Sequence, residues 1–447
     1  MHSFFYNVFV ADATLIFNDI RLMKNKIDFI LPSLVPQITV LDNGLKVYAF
    51  GNSDMDVVRM EFFFCNAGSV NQDKIYSSSV TNNQIAEGSS SHSAMEIANA
   101  IDYYGAFIEK TVDKESASIC FYFLRKYQDN LISWFEEIIK DPAFHQTELD
   151  VYLQRLRQQY LVNQQKTDYL ARVKFNEIVF GENHPFGVIG KMEDFDSLER
   201  KDLINFYNSF YSSDECSIII AGEIDDKLLG LLNKSFGGGD WKREKVIGLK
   251  DYNKFIDLDA VKKTININQA VQASIRMGNI TIYSKDKDFM GLSVLNCLLG
   301  GYFGSRLMQN IREDKGYTYG IGSVIYSYRD VGIFYISADV KQENCQDAID
   351  EVYKEIDLLQ NEKVGDEELN RVKNYLMGNI LRSLDGSLEL SDRFRPLLKY
   401  GFETDYYQKY METIRAIDAE ELMRLSQTYF VLNQMTEIRV GNETIIK

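Results

Sequence analysis

LISWFEEIIKDPAFHQTEL (131–149) and EVYKEIDLLQNEKVGDEEL (351–369) have equal length and one layout: an amphipathic helix, a polar break, then an acidic helix start closing on Glu-Leu. Their offset is 220 residues. A second pair, LERKDLINFYNSFYSSDECSIIIAG (198–222) and IDAEELMRLSQTYFVLNQMTEIRVG (417–441), keeps an offset of 219 and reads each time as helix, turn and strand closing on Gly. So long a period does not build a solenoid; it predicts two homologous domains. Between them FGGGDWKREKVIGLKD (236–251), three glycines followed by mixed charge, reads as a flexible linker. The expected organisation is an N-terminal extension (1–36), a first domain (37–235), a Gly-rich linker (236–256) and a second domain (257–447).

Within the halves, strands come in blocks followed by helix pairs. ITVLDNGLKVYAF (38–50) reads as a hairpin turning at Asp42-Asn43-Gly44. VVRMEFFFCNAGS is a strand, SAMEIANAIDYYGA a helix capped by Ser93 and ended near Gly105, and FIEKTVDKESASICFYFL two strands. VQASIRMGNI, YGIGSVIYSY and GIFYISADV are strands of the second half. This order predicts an α+β fold of two homologous domains, each a mainly antiparallel sheet packed with helices, rather than an alternating parallel one.

Composition narrows the function. At 447 residues the chain is long enough for two or three domains. A net charge of −16 argues against a nucleic-acid binder, which presents a basic face. Five scattered cysteines (Cys65, Cys120, Cys216, Cys297, Cys345) without a CxxC pair suit a reducing compartment or buried thiols. The N-terminal stretch lacks a basic n-region and an uninterrupted apolar core, so it is a poor signal peptide and the cytoplasm is expected, with the periplasm as the alternative. Met23 opens a more conventional start, which predicts that residues 1–22 are an upstream extension. No apolar run reaches the length of a membrane span.

Catalytic hardware is sparse. The four histidines are His2, His92, His145 and His184, none in HxxEH or HxxH. His92 and Glu96 stand at helical i, i+4 spacing and would need a distant His to complete a metal site; beside a Ser cap, they read more simply as a helix start. His145 reads as a solvated loop residue, and His184, before a proline, as the holder of a structural hydrogen bond. No Ser lies in GxSxG, and LLGGYFGS (298–305) lacks the Gly-Lys-Ser/Thr of a phosphate loop, leaving a turn that admits close backbone approach. That leaves GSRLMQNIREDKGYTYG (304–320), where Arg312 precedes Tyr319 by seven residues. A guanidinium fork suits a carboxylate or peptide carbonyl, and a phenol can donate to a developing oxyanion. The structural alternative is that Arg312 pairs with Glu313 or Asp314 and Tyr319 simply starts a strand.

LGGYFGSRLMQNIREDKGYTYGIGS (299–323) resembles the second-domain signature of the pitrilysin/insulinase/mitochondrial processing peptidase family of zinc peptidases, with Arg312 and Tyr319 matching its substrate-binding, transition-state-steadying pair. GENHPFG (181–187) and the duplicated domains fit the same family, and the likeness covers about residues 37–447. The first domain departs from it. The HxxEH window falls on Ser79-Val80-Thr81-Asn82-Asn83, so Ser79, Asn82 and Asn83 replace both His ligands and the Glu base. The downstream Glu ligand is expected in LQRLRQQYL, where Gln158 and Gln159 stand instead.

The resemblance implies a non-zinc-binding subunit that holds no metal and supplies Arg312 and Tyr319 to the zinc site of a homologous HxxEH-bearing partner, with peptides as substrates. Self-association is the alternative assembly. A non-enzymatic scaffold or peptide-binding pseudopeptidase, as in the core proteins of cytochrome bc complexes, and an autonomous metallopeptidase built on His92 and Glu96 are the alternative functions. Neither nucleic acid nor a membrane is expected as a partner.

Overall fold

The hairpin expected at 38–50 forms as β1 (Gln37–Val40) and β2 (Lys46–Gly51), with Gly44 at φ +94, a conformation only glycine takes freely, closing the turn. The computed structural model describes residues 31–51, 56–242 and 259–446. Residues 1–22, read as an upstream extension, lie outside them.

β3 (Val57–Phe64, VVRMEFFF) shows why the halves need each other. Val58, Met60, Phe62 and Phe64 point to one face, Arg59, Glu61 and Phe63 to the other, and all seven are buried. A strand buried on both sides needs cover on both sides. After it come α1 (Ser77–Gln84), α2 (Ala94–Tyr103), β4 (Phe107–Val112), β5 (Ala117–Leu124), α3 (Gln128–Lys140), α4 (Gln146–Asn163), α5 (Thr167–Phe180), α6 (Met192–Ser197), α7 (Arg200–Phe210), β6 (Cys216–Gly222) and α8 (Asp226–Phe236). On the all-apolar side α3 offers Leu131, Ile132, Phe135, Ile138 and Ile139 at helical spacing, with Phe135 stacked on Phe121 at 4.0 Å between centroids. Phe236 and Trp241, which flank the three glycines read as the start of a linker, are buried in this same core; the Trp241 indole donates to the Tyr211 carbonyl at 2.9 Å. Residues 243–256 of that stretch lie outside the described residues.

The second half repeats the plan with β7 (Lys262–Asn266), β8 (Gln272–Thr281), α9 (Phe289–Asn296), β9 (Thr318–Ser327), β10 (Gly332–Lys341), α10 (Cys345–Asn361), α11 (Asp366–Arg382), α12 (Ser387–Tyr400), α13 (Tyr406–Ala416), α14 (Ala419–Tyr429) and β11 (Thr436–Gly441). The sheets run β1-β2-β6-β3-β5-β4 and β7-β11-β8-β10-β9. Each is antiparallel except for one parallel pair, β2 with β6 and β7 with β11, so both are mixed sheets of one topology. β1 and β4 are the edge strands of the first sheet, and β7 and β9 those of the second.

The remaining faces are covered reciprocally. α5 packs on β8 and β11 of the second sheet, placing Phe175 and Val179 with Ile438 and Val440. α12 packs on β2 and β6 of the first, its Phe394 ring 5.0 Å from Tyr48 and 5.4 Å from Phe50. The two helices stand at the 220-residue offset of the repeat, Thr167–Phe180 against Ser387–Tyr400. Residues 34–447 accordingly group as one unit.

Candidate functional site

α1 carries Ser79, Asn82 and Asn83, the positions that the resemblance sets against the zinc motif. SSSVTNNQ is a poor helix former, because short polar side chains compete for the backbone. Here that competition is satisfied by tertiary bonds. The Ser78 hydroxyl donates to the Ala67 carbonyl (2.8 Å), and the Asn82 amide donates to the Thr111 carbonyl (2.9 Å) while accepting from the Tyr211 hydroxyl (2.9 Å). Ser79 donates to Tyr76 (3.1 Å), and Asn83 donates to the Ser79 carbonyl (2.8 Å). Burial pushes the Tyr211 phenol far up, so it stays a neutral donor to Asn82. All three side chains are thus engaged with protein partners, and they offer a hydroxyl and two amides in place of imidazoles and a carboxylate. The residues do not fit zinc.

Gln158 and Gln159 are exposed on α4. The side of α4 that packs with Val80 of α1 carries Leu149, Leu153, Leu156 and Tyr160, so the glutamines do not converge with Ser79, Asn82 and Asn83. His92 and Glu96 do not start a metal site either. Glu96 accepts from the Ser93 backbone at 2.9 Å in a capping box at the head of α2, and His92 Nδ1 meets Glu137 at 2.7 Å. His184 accepts from the Phe186 amide at 3.2 Å, the structural bond expected of it. Among the described residues no three of His, Cys, Asp and Glu gather where a metal could be held. The cysteines are free thiols, and burial pushes Cys120 and Cys297 up to about 12, far from nucleophilic.

Arg312 and Tyr319 sit in a different setting. α9 widens into a π-helical turn at Cys297–Gly301, and a second π-helical stretch spans Met308–Asp314. Gly300 permits the approach to β9: a Cβ there would stand 2.6 Å from the Ser323 nitrogen, which is the tight packing expected of the glycine-rich stretch. The segment is tied down by its other polar residues. Arg306 forks onto Glu368 at 2.8 and 2.9 Å, Asn310 donates to Glu351 and Glu355 at 2.8 and 2.7 Å, and Lys315 pairs with Glu351 at 3.1 Å. Arg312 meets only its exposed neighbour Glu313 (3.1 Å) and lies over the exposed Phe303 ring at 4.7 Å. Tyr319, the second residue of edge strand β9, is 90% exposed, and its hydroxyl has no hydrogen-bond partner among the described residues. The ion pair and the strand start set out as the structural alternative are both present; Tyr319 still faces outward, and Arg312 is half-buried.

Charged residues inside apolar strand runs were the signal that sequence reading passed over. Arg59 and Glu61 lie on the α12 side of β3 with a cavity of ≈ 770 Å³. Glu61, fully buried, is paired to Arg59 and Arg395 at 2.9 Å each, and Arg59 also pairs with Asp392 at 2.9 Å.

A duplicated α+β body with a peptidase-type Arg/Tyr segment and an α1 helix without metal ligands defines the class. A family model described as the peptidase M16 inactive domain matches residues 197–376, which include both Arg312 and Tyr319. An uncharacterized zinc protease, YmxG, of Bacillus subtilis is 26% identical over 307 residues, covering 67% of this chain and 72% of the relative. A protein of Helicobacter pylori named non-peptidase homolog YmxG is 22% identical over 378 residues, covering 80% and 82%. The crystal structure of a peptidase M16 inactive domain from Pseudomonas fluorescens superposes with a TM-score of 0.82 at 19% identity, over 91% of this chain and 98% of that one. Residues 197–376 thus match the peptidase M16 inactive domain, and the chain shares its fold with a structure of that domain over most of its length.

Proposed function

We propose that this chain is the zinc-free subunit of a two-chain M16 peptidase, inactive alone, and that it lends Arg312 and Tyr319 to substrate binding and transition-state stabilisation at the zinc site of an HxxEH-bearing homologue. The observation that carries the reading is the contrast within one segment: Arg306 and Lys315 are bound internally, while Tyr319 stands 90% exposed and Arg312 reaches only an exposed carboxylate. The guanidinium would fork onto a substrate carbonyl or carboxylate, and the phenol would donate to the oxygen that gains charge as the peptide carbonyl is attacked. The edge strands β4 and β9 suit extended peptides, which add a strand through main-chain hydrogen bonds. The printed names of the Helicobacter relative and of the family model agree with loss of activity in the isolated chain. No described helix is long and apolar enough to cross a membrane, and free thiols accord with a cytoplasmic setting.

Mixing the purified chain with an HxxEH-bearing homologue and assaying peptide cleavage tests the proposal. The pair is expected to cleave where this chain alone does not, and Arg312→Ala or Tyr319→Phe to slow the pair by about a hundredfold, the usual cost of losing one oxyanion donor. A partner equally active alone, or variants without effect on the pair, would refute it. A stable complex with no cleavage under any pairing would favour the scaffold reading.

A further inference from the structure

The two helix-covered sheet faces occupy equivalent places but differ in charge. On the first, Arg59 and Glu61 of β3 meet Asp392 and Arg395 of α12, and acids and bases are matched in pairs at 2.9 Å. The register of the repeat locates the counterparts on the second. Glu61 lies opposite Ile219, Arg276 lies opposite Ile438, and those two isoleucines stand at the 219-residue offset. Arg276 thus occupies the place of Glu61. By the 220-residue offset of the swapped helices, Arg172 of α5 occupies the place of Asp392. Both acids of the first face have become arginines.

A cavity of ≈ 510 Å³ opens at this second face, lined by Arg172, Arg276 and a third cation, Lys114, from the β4–β5 turn. Its volume falls in the range of small-molecule sites. The Lys114 ammonium donates to the Pro185 carbonyl (3.1 Å), Arg276 lies over the Tyr335 ring (4.5 Å) and Arg172 over Tyr169 (5.3 Å). Among the described residues none of the three cations is in an ion pair. Asp113, which also lines the cavity, is held by Lys399 at 2.9 Å, and Asp339 attracts Arg276 without pairing to it. Burial, with repulsion from Arg172, pushes Lys114 down to about 8, and burial lowers Arg276 as well. Lys114 and Arg276, half-buried without counter-ions and with the exposed Arg172 beside them, are an unfavourable arrangement that an anion would relieve.

We infer that this cavity is a binding site for the anionic group of a small ligand, a carboxylate or a phosphate, held by Lys114, Arg172 and Arg276. Two guanidinium forks and an ammonium supply the charge-assisted donors such a group accepts. The inference is independent of any partner chain.

Titration calorimetry of the full chain at constant ionic strength tests it, with inorganic phosphate in one arm and an acetylated tetrapeptide in the other, the latter with either a free or an amidated carboxyl terminus. At least one of phosphate and the free-carboxyl peptide is expected to bind one to one, and which of them does so identifies the source; the amide is expected not to bind. Arg276→Gln and Lys114→Gln should each weaken binding by about tenfold or more, the value of one charge-assisted hydrogen bond. Lys114 shares the cavity with Arg172 from α5, Arg276 from β8, the phenols of Tyr76 before α1, Tyr326 of β9, Tyr328 just after it and Tyr335 of β10, and Asp113 beside it. Affinity should therefore fall between pH 7 and pH 9 as Lys114 loses its proton, and Lys114→Arg should keep it at pH 9. Binding no tighter than that of chloride for both probes, or affinity unchanged in both glutamine variants, would overturn the inference.

Discussion

Asn82, which the resemblance sets at the general-base position of a zinc peptidase, is engaged in structural hydrogen bonds. Its amide joins α1 to β4 through the Thr111 carbonyl and to the residue after α7 through Tyr211, with Asn82 and Tyr211 both buried. Asn82→Ala would leave the phenol and the carbonyl without partners, and chemical denaturation should show a loss of about 1–3 kcal/mol. Rebuilding the motif with Ser79→His, Asn82→Glu and Asn83→His should not produce a zinc protein, because α4 turns Leu153, Leu156 and Tyr160 toward this region rather than a carboxylate. Metal analysis after dialysis checks this; stoichiometric zinc would contradict it. Tyr319→Phe, at an exposed position, should leave stability within about 0.5 kcal/mol of the parent, and Arg312→Ala, which removes a half-buried side chain paired to an exposed carboxylate, should cost no more than about 1 kcal/mol. Lys114 makes a signed prediction. Its folded-state pKa of about 8 lies below the unfolded value of about 10.4, so between them the unfolded chain binds more protons and stability rises with pH. Lys114→Met should flatten that rise in denaturation midpoints measured from pH 8 to pH 10.

At the scale of elements, the sequence was informative where periodicity or capping chemistry is local. The Ser93 cap, the β1–β2 hairpin and the apolar stripe of α3 all form as their residues dictate. The phase of α4 was harder to read, because its polar residues run around the helix and only Leu149 and Leu153 are fully buried. The family resemblance pointed to Gln158 and Gln159, which are exposed, while Tyr160 packs with the cluster that holds Val80 of α1. The charges of β3 were legible as residues and illegible as partners: Arg59 and Glu61 find Asp392 and Arg395 more than three hundred positions away. Glu61→Ala would leave the half-exposed Arg395 without its partner and the buried Arg59 with Asp392 alone, and removing one partner of a buried ion pair typically costs about 3–5 kcal/mol. A calorimetric midpoint matching the parent would show that α12 is held by Phe394 and its apolar neighbours alone.

For the whole molecule, the exchange of α5 and α12 makes each half depend on the other. Residues 34–242 expressed alone would leave the α12 side of β3, with Arg59 and Glu61, open to water, and would present Phe175 and Val179 of α5 with nothing to cover. Such a fragment should show no cooperative unfolding transition, while co-expression with residues 259–447 should restore one; an independently folded first half would refute the dependence.

The amino-acid sequence by itself determined the duplication, the α+β class and the wholly neutral make-up of the α1 segment, because each is written in residue type and spacing along the chain. Only the tertiary structure decided that the halves trade helices, that the glutamines of α4 turn outward, and that one sheet face balances its charges while its counterpart leaves three cations around a cavity. Those outcomes are set by which residues some 220 positions apart come into contact, and burial, pairing and desolvation act on that contact rather than on any local pattern.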